Sequence, residues 1–169
     1  MDEATMTVGK IARELEILRA KPGYIAPFRV IGRKVIDQVM EGVNVYDATF
    51  SVEVYKDGYY VRVVEVASDE GPLDSLHSVI KKALQPFFPC IENVQIENFY
   101  SHGFTEGLKG QVEVILHFVL WKNGYPWEKF SESCRSVSIV TATECVLLRV
   151  YEYVCSLSIQ THSQEKQEK

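Results

Sequence analysis

The feature of this 169-residue chain that most constrains its fold is a pattern that occurs twice. Asp57-Gly58 and Asn123-Gly124 are both typical of two-residue β-hairpin turns. The two turns are separated by the same number of residues as Pro72 and Ser138, and an amphipathic helix is expected to begin at each of these two positions. Because equal spacing of this kind indicates repeated structure, we predict an α+β fold of two pseudo-symmetric strand–strand–strand–helix (βββα) units. Each unit would be an antiparallel sheet with a helix on one face, and the two could close over a shared cleft.

Apolar periodicity and turn residues give the order of the elements. Residues 1–24 are expected to form an N-terminal helix or linker, residues 25–88 and 89–157 the two units, and the polar residues 158–169 a disordered tail. The cleanest strand is residues 43–55, where four alternating residues, Ala48, Phe50, Val52 and Val54, share one face. The predicted elements are a helix over 7–21, strands over 27–37 with a possible bulge at Gly32, 43–55 and 59–67, a helix over 72–85, strands over 91–100, 111–121 and 125–134, and a helix over about 138–156.

The composition excludes several classes of protein. A net charge of −5 without a basic cluster argues against a nucleic-acid partner, which requires a footprint of Lys and Arg. No apolar run approaches the length of a membrane span, so we expect a cytoplasmic protein without a membrane partner. The four cysteines form no C-x-x-C motif and the four histidines are scattered, so we expect reduced, mostly buried thiols and neither a metal nor a cofactor.

The predicted strand over residues 111–121 is apolar on both faces. Val114, Leu116 and Phe118 lie on one face, and Ile115 and Val119 lie on the other. A strand of this kind requires cover on both sides. Either the N-terminal helix covers the second face, or a second copy of the chain does, and we favour a homodimer because large exposed apolar patches mark interfaces.

Two segments are candidate ligand sites. The stretch Tyr100–Gly110 is predicted to be irregular and contains Gly103, Gly107 and Gly110, which either allow a ligand to approach the backbone or provide a flexible connection. At the start of the helix over 72–85, free N–H groups could bind a carboxylate. Asp74 in its first turn either complements the helix dipole or binds an ammonium group.

The sequence offers little for catalysis. His102 and Glu106 could form an acid–base pair. No Ser or Cys nucleophile with a neighbouring base is evident. We therefore do not expect the chain to be an enzyme on its own.

Several of these residues resemble one family. The segment Glu70–Leu76, read as E-G-P-L-D-S-L, together with Lys81-Lys82-Ala83-Leu84, resembles the G-P-(V/L)-D-A-L…R-K-A-L segment in the C-terminal regulatory domain of 2-isopropylmalate synthase and citramalate synthase. Gly107–Gly110 is similar to the G-T-x-A loop of that domain, and Ser136–Thr143 to its S-x-N-I-I-x-A-S stretch. The resemblance covers roughly residues 25–156.

The resemblance implies a dimer of doubled βββα units that binds leucine or isoleucine for feedback control of branched-chain amino-acid biosynthesis. It implies that apolar residues hold the aliphatic side chain and that a carboxylate holds the ammonium group. Carried over position by position, the ligand-binding residues are Gly71, Leu73, Asp74, Ile96, Phe99, Gly103, Gly107, Leu108, Gly110 and Ile139.

Some positions depart from the pattern of the family. Leu108 stands in place of the loop threonine, Lys109 in place of a small residue, and Asn98 in place of an aspartate. The catalytic barrel of the synthases, with its metal-binding H-x-H motif, has no counterpart in this sequence. The expectation is a stand-alone regulatory domain with a branched-chain amino-acid effector and a separate synthase catalytic subunit as partner. The alternative is a dimerisation or interaction module that binds no ligand.

Overall fold

The fold is α+β: two three-stranded antiparallel sheets and three α-helices make up the part of the chain that the structure describes. The structure is a computed structural model, and it describes residues 8–106, 109–122 and 124–165. The elements in chain order are α1 (Lys10–Arg19), β1 (Phe28–Met40), β2 (Val43–Lys56), β3 (Tyr59–Asp69), α2 (Pro72–Leu84), a 3₁₀ helix (Pro89–Asn93), β4 (Val94–Glu106), β5 (Lys109–Lys122), β6 (Tyr125–Ser136) and α3 (Ile139–Glu165).

The first unit comprises residues 25–91 and 154–165, and its sheet has the strand order β1-β2-β3. The face predicted for β2 is confirmed, since Ala48, Phe50, Val52 and Val54 are all fully buried. Helix α2 packs against β2 and β3 and contributes a buried stripe that includes Leu76, Ile80 and Leu84. The spacing also places Leu73 and Phe87 in this stripe, but both are only half-buried, since Leu73 lies in the first turn of α2 and Phe87 lies beyond its last residue, Leu84.

Turn geometry fixes the hairpins of the first unit. Asp57 and Gly58, where a two-residue hairpin turn was predicted, both have positive φ, 51° and 96°, as a type I′ turn requires. A second turn of the same kind, which the sequence analysis missed, joins β1 to β2 through Glu41 (φ 52°) and Gly42 (φ 82°). The register shift between Val30 and Gly32 confirms the bulge predicted at Gly32.

The second unit comprises residues 8–24 and 92–153, and its sheet has the strand order β4-β5-β6. Val114, Leu116, Phe118 and Leu120 of β5 are buried on one face. The Glu132 side chain extends on this same face, because Glu132 pairs with Leu116, and it contacts both the start of α1 and Arg149 of α3. Helix α1 therefore lies on the α3 side of the sheet. The alternative in which the N-terminal helix covers the second face of β5 is wrong.

The repeat extends from sequence to backbone detail. Strand β4 begins and ends the same number of residues after β1 as the second predicted hairpin turn lies after the first. The same spacing relates both ends of β5 to those of β2. The bulge between Val30 and Gly32 recurs at the same interval between Ile96 and Asn98. A bulge at the equivalent position in both sheets supports an internal duplication.

The structure corrects three sequence-based predictions. Residues 100–110 are not a long irregular loop, since β4 continues to Glu106 and β5 begins at Lys109; the β-formers Phe104 and Thr105 prolong the strand. Residues 158–165 are helical rather than disordered, because α3 meets neither Gly nor Pro to end it. The helix predicted over 7–21 begins at Lys10; residue 7 lies outside the described residues, and Val8 forms a β-bridge with Ser131.

The apolar spacing of α3 places Ile139, Ala142, Val146, Val150 and Tyr153 on one face, and most of them are buried. Ala142, Val146 and Val150 are fully buried. Ile139, as the first helical residue, remains 36% exposed, and Tyr153 is half-buried. No helix in the described ranges is both long enough and apolar enough to cross a membrane.

Candidate functional site

The start of α2 is the best-defined part of the predicted site. Gly71 caps the helix in an extended conformation and Pro72 is its first helical residue, where a missing N–H costs no hydrogen bond. The Asp74 carboxylate folds back over Gly71 so closely that a Cβ atom on Gly71 would lie 2.5 Å from Asp74 Oδ2. Asp74 is exposed, so its carboxylate can complement the helix dipole and still be reached by a cation.

The electrostatics around this helix start are dominated by acidic groups, which the sequence analysis did not bring together. Asp69 accepts hydrogen bonds from the Glu70 backbone N–H at 2.8 Å and from Ser78 Oγ at 3.4 Å. Asp47 on the neighbouring strand accepts hydrogen bonds from Ser68 and Gln38. The register of β2 and β3 could have identified this cluster, since Tyr46 pairs with Asp69 and Asp47 with Ser68. Such surroundings favour a ligand ammonium group and oppose a ligand carboxylate.

The first turns of α2 also contain a histidine, His77. Burial is the main cause that lowers the pKa of His77 below its usual value, and the nearby Lys81 ammonium lowers it further, while Asp74 opposes both. His77 is therefore mostly neutral at neutral pH. The negative charge at this end of α2 is consequently not offset by the imidazole.

Three predicted residues of the second unit share one face of the sheet. Ile96 pairs with Phe118, Phe99 with Leu116, and Gly103 with Val112. Strict alternation would place positions 96 and 99 on opposite faces. The bulge between Ile96 and Asn98 reverses the alternation, so both side chains extend toward the buried face of β5. Phe99 nevertheless remains 39% exposed, so this face presents an accessible aromatic ring.

The other predicted residues are placed as follows. Gly71, Leu73 and Asp74 belong to the first unit, and the remaining members of the set that are described belong to the second. Gly110 pairs with Thr105 next to the β4–β5 turn, and Ile139 lies at the exposed start of α3. Gly107 and Leu108, the predicted loop residues, lie outside the described part of the chain.

The structure gives no support to the acid–base pair considered in the sequence. His102 is exposed and pairs across the sheet with Glu113, whose carboxylate is held by Arg135 at 3.2 Å. The side chain of Glu106 is not among those described. Within the described ranges, no three His, Cys, Asp or Glu side chains form a group that could hold a metal ion.

No protein-family model matches the chain, and no curated protein matches it significantly.

Proposed function

We propose that this chain is a stand-alone regulatory domain that binds a branched-chain amino acid, leucine or isoleucine, and thereby controls a separately encoded acyl-transferring synthase. The observation that carries the proposal is the doubled βββα architecture with a Gly-Pro-Leu-Asp helix start at Gly71–Asp74. This combination is what the resemblance to the regulatory domain of 2-isopropylmalate and citramalate synthases implies.

The chemistry of the predicted residues supports an amino-acid ligand. Asp74 is an exposed carboxylate that can pair with an ammonium group, and the acidic side chains around it strengthen that preference. Ile96 and Phe99 lie on one face of the second sheet and offer apolar surface for an aliphatic side chain. The ligand carboxylate would be bound by the backbone N–H groups of the helix start, against the repulsion of the acidic side chains around it.

A homodimer is part of the proposal. In the first sheet, the face opposite α2 carries Val64 and Val66, which are 56% and 52% exposed. Burial of apolar surface between copies would stabilise association by roughly 25 cal/mol per Å² before the cost of association is subtracted. Such an interface would also allow a ligand to shift the dimer and hence a bound synthase, with a coupling free energy of typically about 1–3 kcal/mol.

Thermal unfolding with leucine, isoleucine and valine tests the ligand. A ligand at 100 times its dissociation constant should stabilise the protein by roughly 2.7 kcal/mol. Asp74→Asn and Phe99→Ala should each reduce the shift, whereas Lys129→Ala, a change at a surface ion pair with Glu97, should leave it unchanged. If none of the three amino acids binds at millimolar concentration, the regulatory proposal is wrong.

The second candidate is a dimerisation or interaction module without a ligand. The acidic surroundings of the α2 start favour it, because they oppose a carboxylate ligand. Light scattering combined with size exclusion, with and without a synthase catalytic subunit, separates the two functions. A module forms a dimer or a complex that does not respond to any amino acid, and a strictly monomeric chain would contradict both candidates.

A further inference from the structure

Strand β1 forms an open edge of the first sheet, because β2 is the strand that pairs with it in the described part of the chain. The strand is long, and from Gly32 to its end it pairs with β2 without a break. Two of its apolar side chains, Ile36 and Val39, are 37% and 70% exposed. Alternate residues of an edge strand direct their backbone N–H and C=O groups away from the sheet, so an edge of this kind can pair with a further strand.

The charges of this edge are divided between its two ends. Arg33 and Lys34 lie near the bulge, whereas Asp37 lies toward the turn that joins β1 to β2. When a strand pairs antiparallel with a second copy of itself, the start of each strand lies against the end of the other. The basic residues of one copy would therefore lie near Asp37 of the second copy. This self-complementarity favours a second copy of the chain as the partner.

Side-chain alternation and charge together leave one register. Opposite residues of an antiparallel pair extend to the same face, so the two-fold axis that relates the copies must pass through a residue and not between two residues. An axis through Lys34 would place two ammonium groups opposite each other, and an axis through Arg33 or Asp37 would likewise oppose like charges. An axis through Ile36 brings no opposite charges together. An axis through Val35 places Arg33 of each copy opposite Asp37 of the other.

This register also suits the other side chains of the edge. Val35 pairs with the buried Ala48, so it extends toward the α2 face, where it would meet Val35 of the second copy. Lys34 and Ile36 extend to the opposite face, and each would lie opposite the other across the contact. A lysine on an edge strand usually opposes pairing. Here its aliphatic stem would cover an apolar side chain while its ammonium group remains in solvent.

The repeated fold does not itself require these charges. Strand β4 is the counterpart of β1 in the second unit, with a bulge at the equivalent position. It carries Phe99 and Gly103 where β1 carries Arg33 and Asp37. The same strand therefore forms without the charges, and the charge pattern is a property of the β1 edge alone.

We propose that residues 32–38 of β1 are a contact surface between two copies of the chain, in which they pair antiparallel about Val35 and join the two first sheets into one continuous sheet. The self-complementary charges and the open edge carry the proposal. This contact goes beyond the proposed function, because it needs no ligand. It is also separate from the surface with Val64 and Val66, since β3 lies at the other edge of the sheet.

Reversal of the charges tests the register. In Arg33→Asp both symmetry-related pairs become acidic, and in Asp37→Arg both become basic. Each variant alone should have a dissociation constant raised by on the order of tenfold, measured by size exclusion with light scattering. An equimolar mixture of the two variants restores opposite charges in both pairs and should associate as tightly as the wild type. Lys21→Asp, an equal charge change at an exposed residue outside the sheet, is the matched control and should leave association unchanged.

Hydrogen exchange of the wild-type chain locates the contact without any variant. Peptides that cover residues 32–38 should exchange more slowly above the dissociation constant than below it. Added salt should reduce this protection, because exposed ion pairs are screened. Peptides from β3, which carries Val64 and Val66, report instead on the outer-face contact of the proposed homodimer.

Two results would overturn the proposal in distinguishable ways. If the mixture of variants associates no better than either variant alone, the register about Val35 is wrong. If association protects β3 and leaves residues 32–38 unchanged, the edge contact does not form, whereas the homodimer of the proposed function stands. The exchange experiment decides even if a charge-reversed variant folds poorly.

Discussion

Removing the Glu132 carboxylate is the most informative single perturbation of the second unit. The Glu132 side chain is fully buried, and its Oε1 accepts hydrogen bonds from the backbone N–H of Ile11 at 2.7 Å and of Ala12 at 3.4 Å. Its Oε2 lies 3.5 Å from Arg149 Nη1. One buried carboxylate therefore caps the first turn of α1 and also joins that helix to β6 and α3.

The size of the effect follows from these contacts. A hydrogen bond to a charged group contributes about 1.5–3 kcal/mol, and loss of one partner from a buried ion pair costs about 3–5 kcal/mol. Arg149 keeps a hydrogen bond to the Ser133 carbonyl at 3.0 Å, and 27% of its side chain is exposed. Both features favour the lower end of the energy range for a broken ion pair. We expect Glu132→Ala to lower the free energy of unfolding by about 3 kcal/mol.

Denaturant unfolding measures the loss of global stability, and amide hydrogen exchange measures the loss of local protection in α1. Glu97→Ala is the control, because Glu97 forms an ion pair with Lys129 in which both side chains are substantially exposed, and it should cost less than about 1 kcal/mol. Exchange at the Ile11 amide should accelerate strongly in Glu132→Ala, because a helix as short as α1 is marginal without its tertiary contacts. The control should leave that amide protected.

A double-mutant cycle isolates the ion pair from the cap. If the pair is coupled, Glu132→Met combined with Arg149→Met should cost less than the sum of the single changes, by roughly 0.5–3 kcal/mol. If Glu132→Ala costs no more than Glu97→Ala and leaves Ile11 protected, then Glu132 is not the group that holds α1. The reasoning from burial and hydrogen bonding would then be refuted.

Three further predictions concern single positions. Gly71→Ala should destabilise by no more than about 1 kcal/mol, because the clashing Asp74 carboxylate is exposed and can move; combination with Asp74→Ala should remove the loss in denaturant unfolding. Gly58→Ala should cost about 1–2 kcal/mol, since Gly58 has a φ of 96°, whereas Gly58→Asn should cost less in the same assay. Alkylation of Cys90 by iodoacetamide should slow as the pH falls through about 7, where its thiolate is protonated, whereas Cys134 should react appreciably only well above pH 9.

The sequence predicts most of the scaffold, because local chemistry specifies it. Asp57-Gly58 favours the positive φ angles of its turn, and the alternation over residues 48–54 identifies the buried face of β2. The extent of β4 was predicted incorrectly because glycines at 103, 107 and 110 indicate a loop, although cross-strand pairing with β5 keeps residues 98–106 extended. Local propensity yields to tertiary pairing at such positions.

Less of the candidate site follows from the sequence, because its arrangement depends on register. That Ile96 and Phe99 share a face results from a bulge at Glu97, where nothing in the local sequence indicates one. The acidic cluster at the start of α2 combines residues from β2, β3 and the helix itself.

The two repeated units differ at one position in a way that affects the proposed site. In the first hairpin Val54 pairs with Val61 and Tyr55 with Tyr60, whereas in the second Leu120 pairs with Glu128 and Trp121 with Pro126. One extra residue, Trp127, is left between these pairs. Because of this extra residue, α3 begins one position later than it would if the spacing between the repeated strands continued to the helix.

This shift makes the two helix starts chemically different. With the extra residue counted, the position equivalent to Gly71 is Ser138, and the position equivalent to Asp74 is Thr141. The backbone is retained, since Ser75 N bonds to Gly71 O at 3.0 Å and Ala142 N to Ser138 O at 2.9 Å. The carboxylate is not retained. If an ammonium group is recognised by the Asp74 carboxylate, each chain has one such site rather than two, despite its internal duplication.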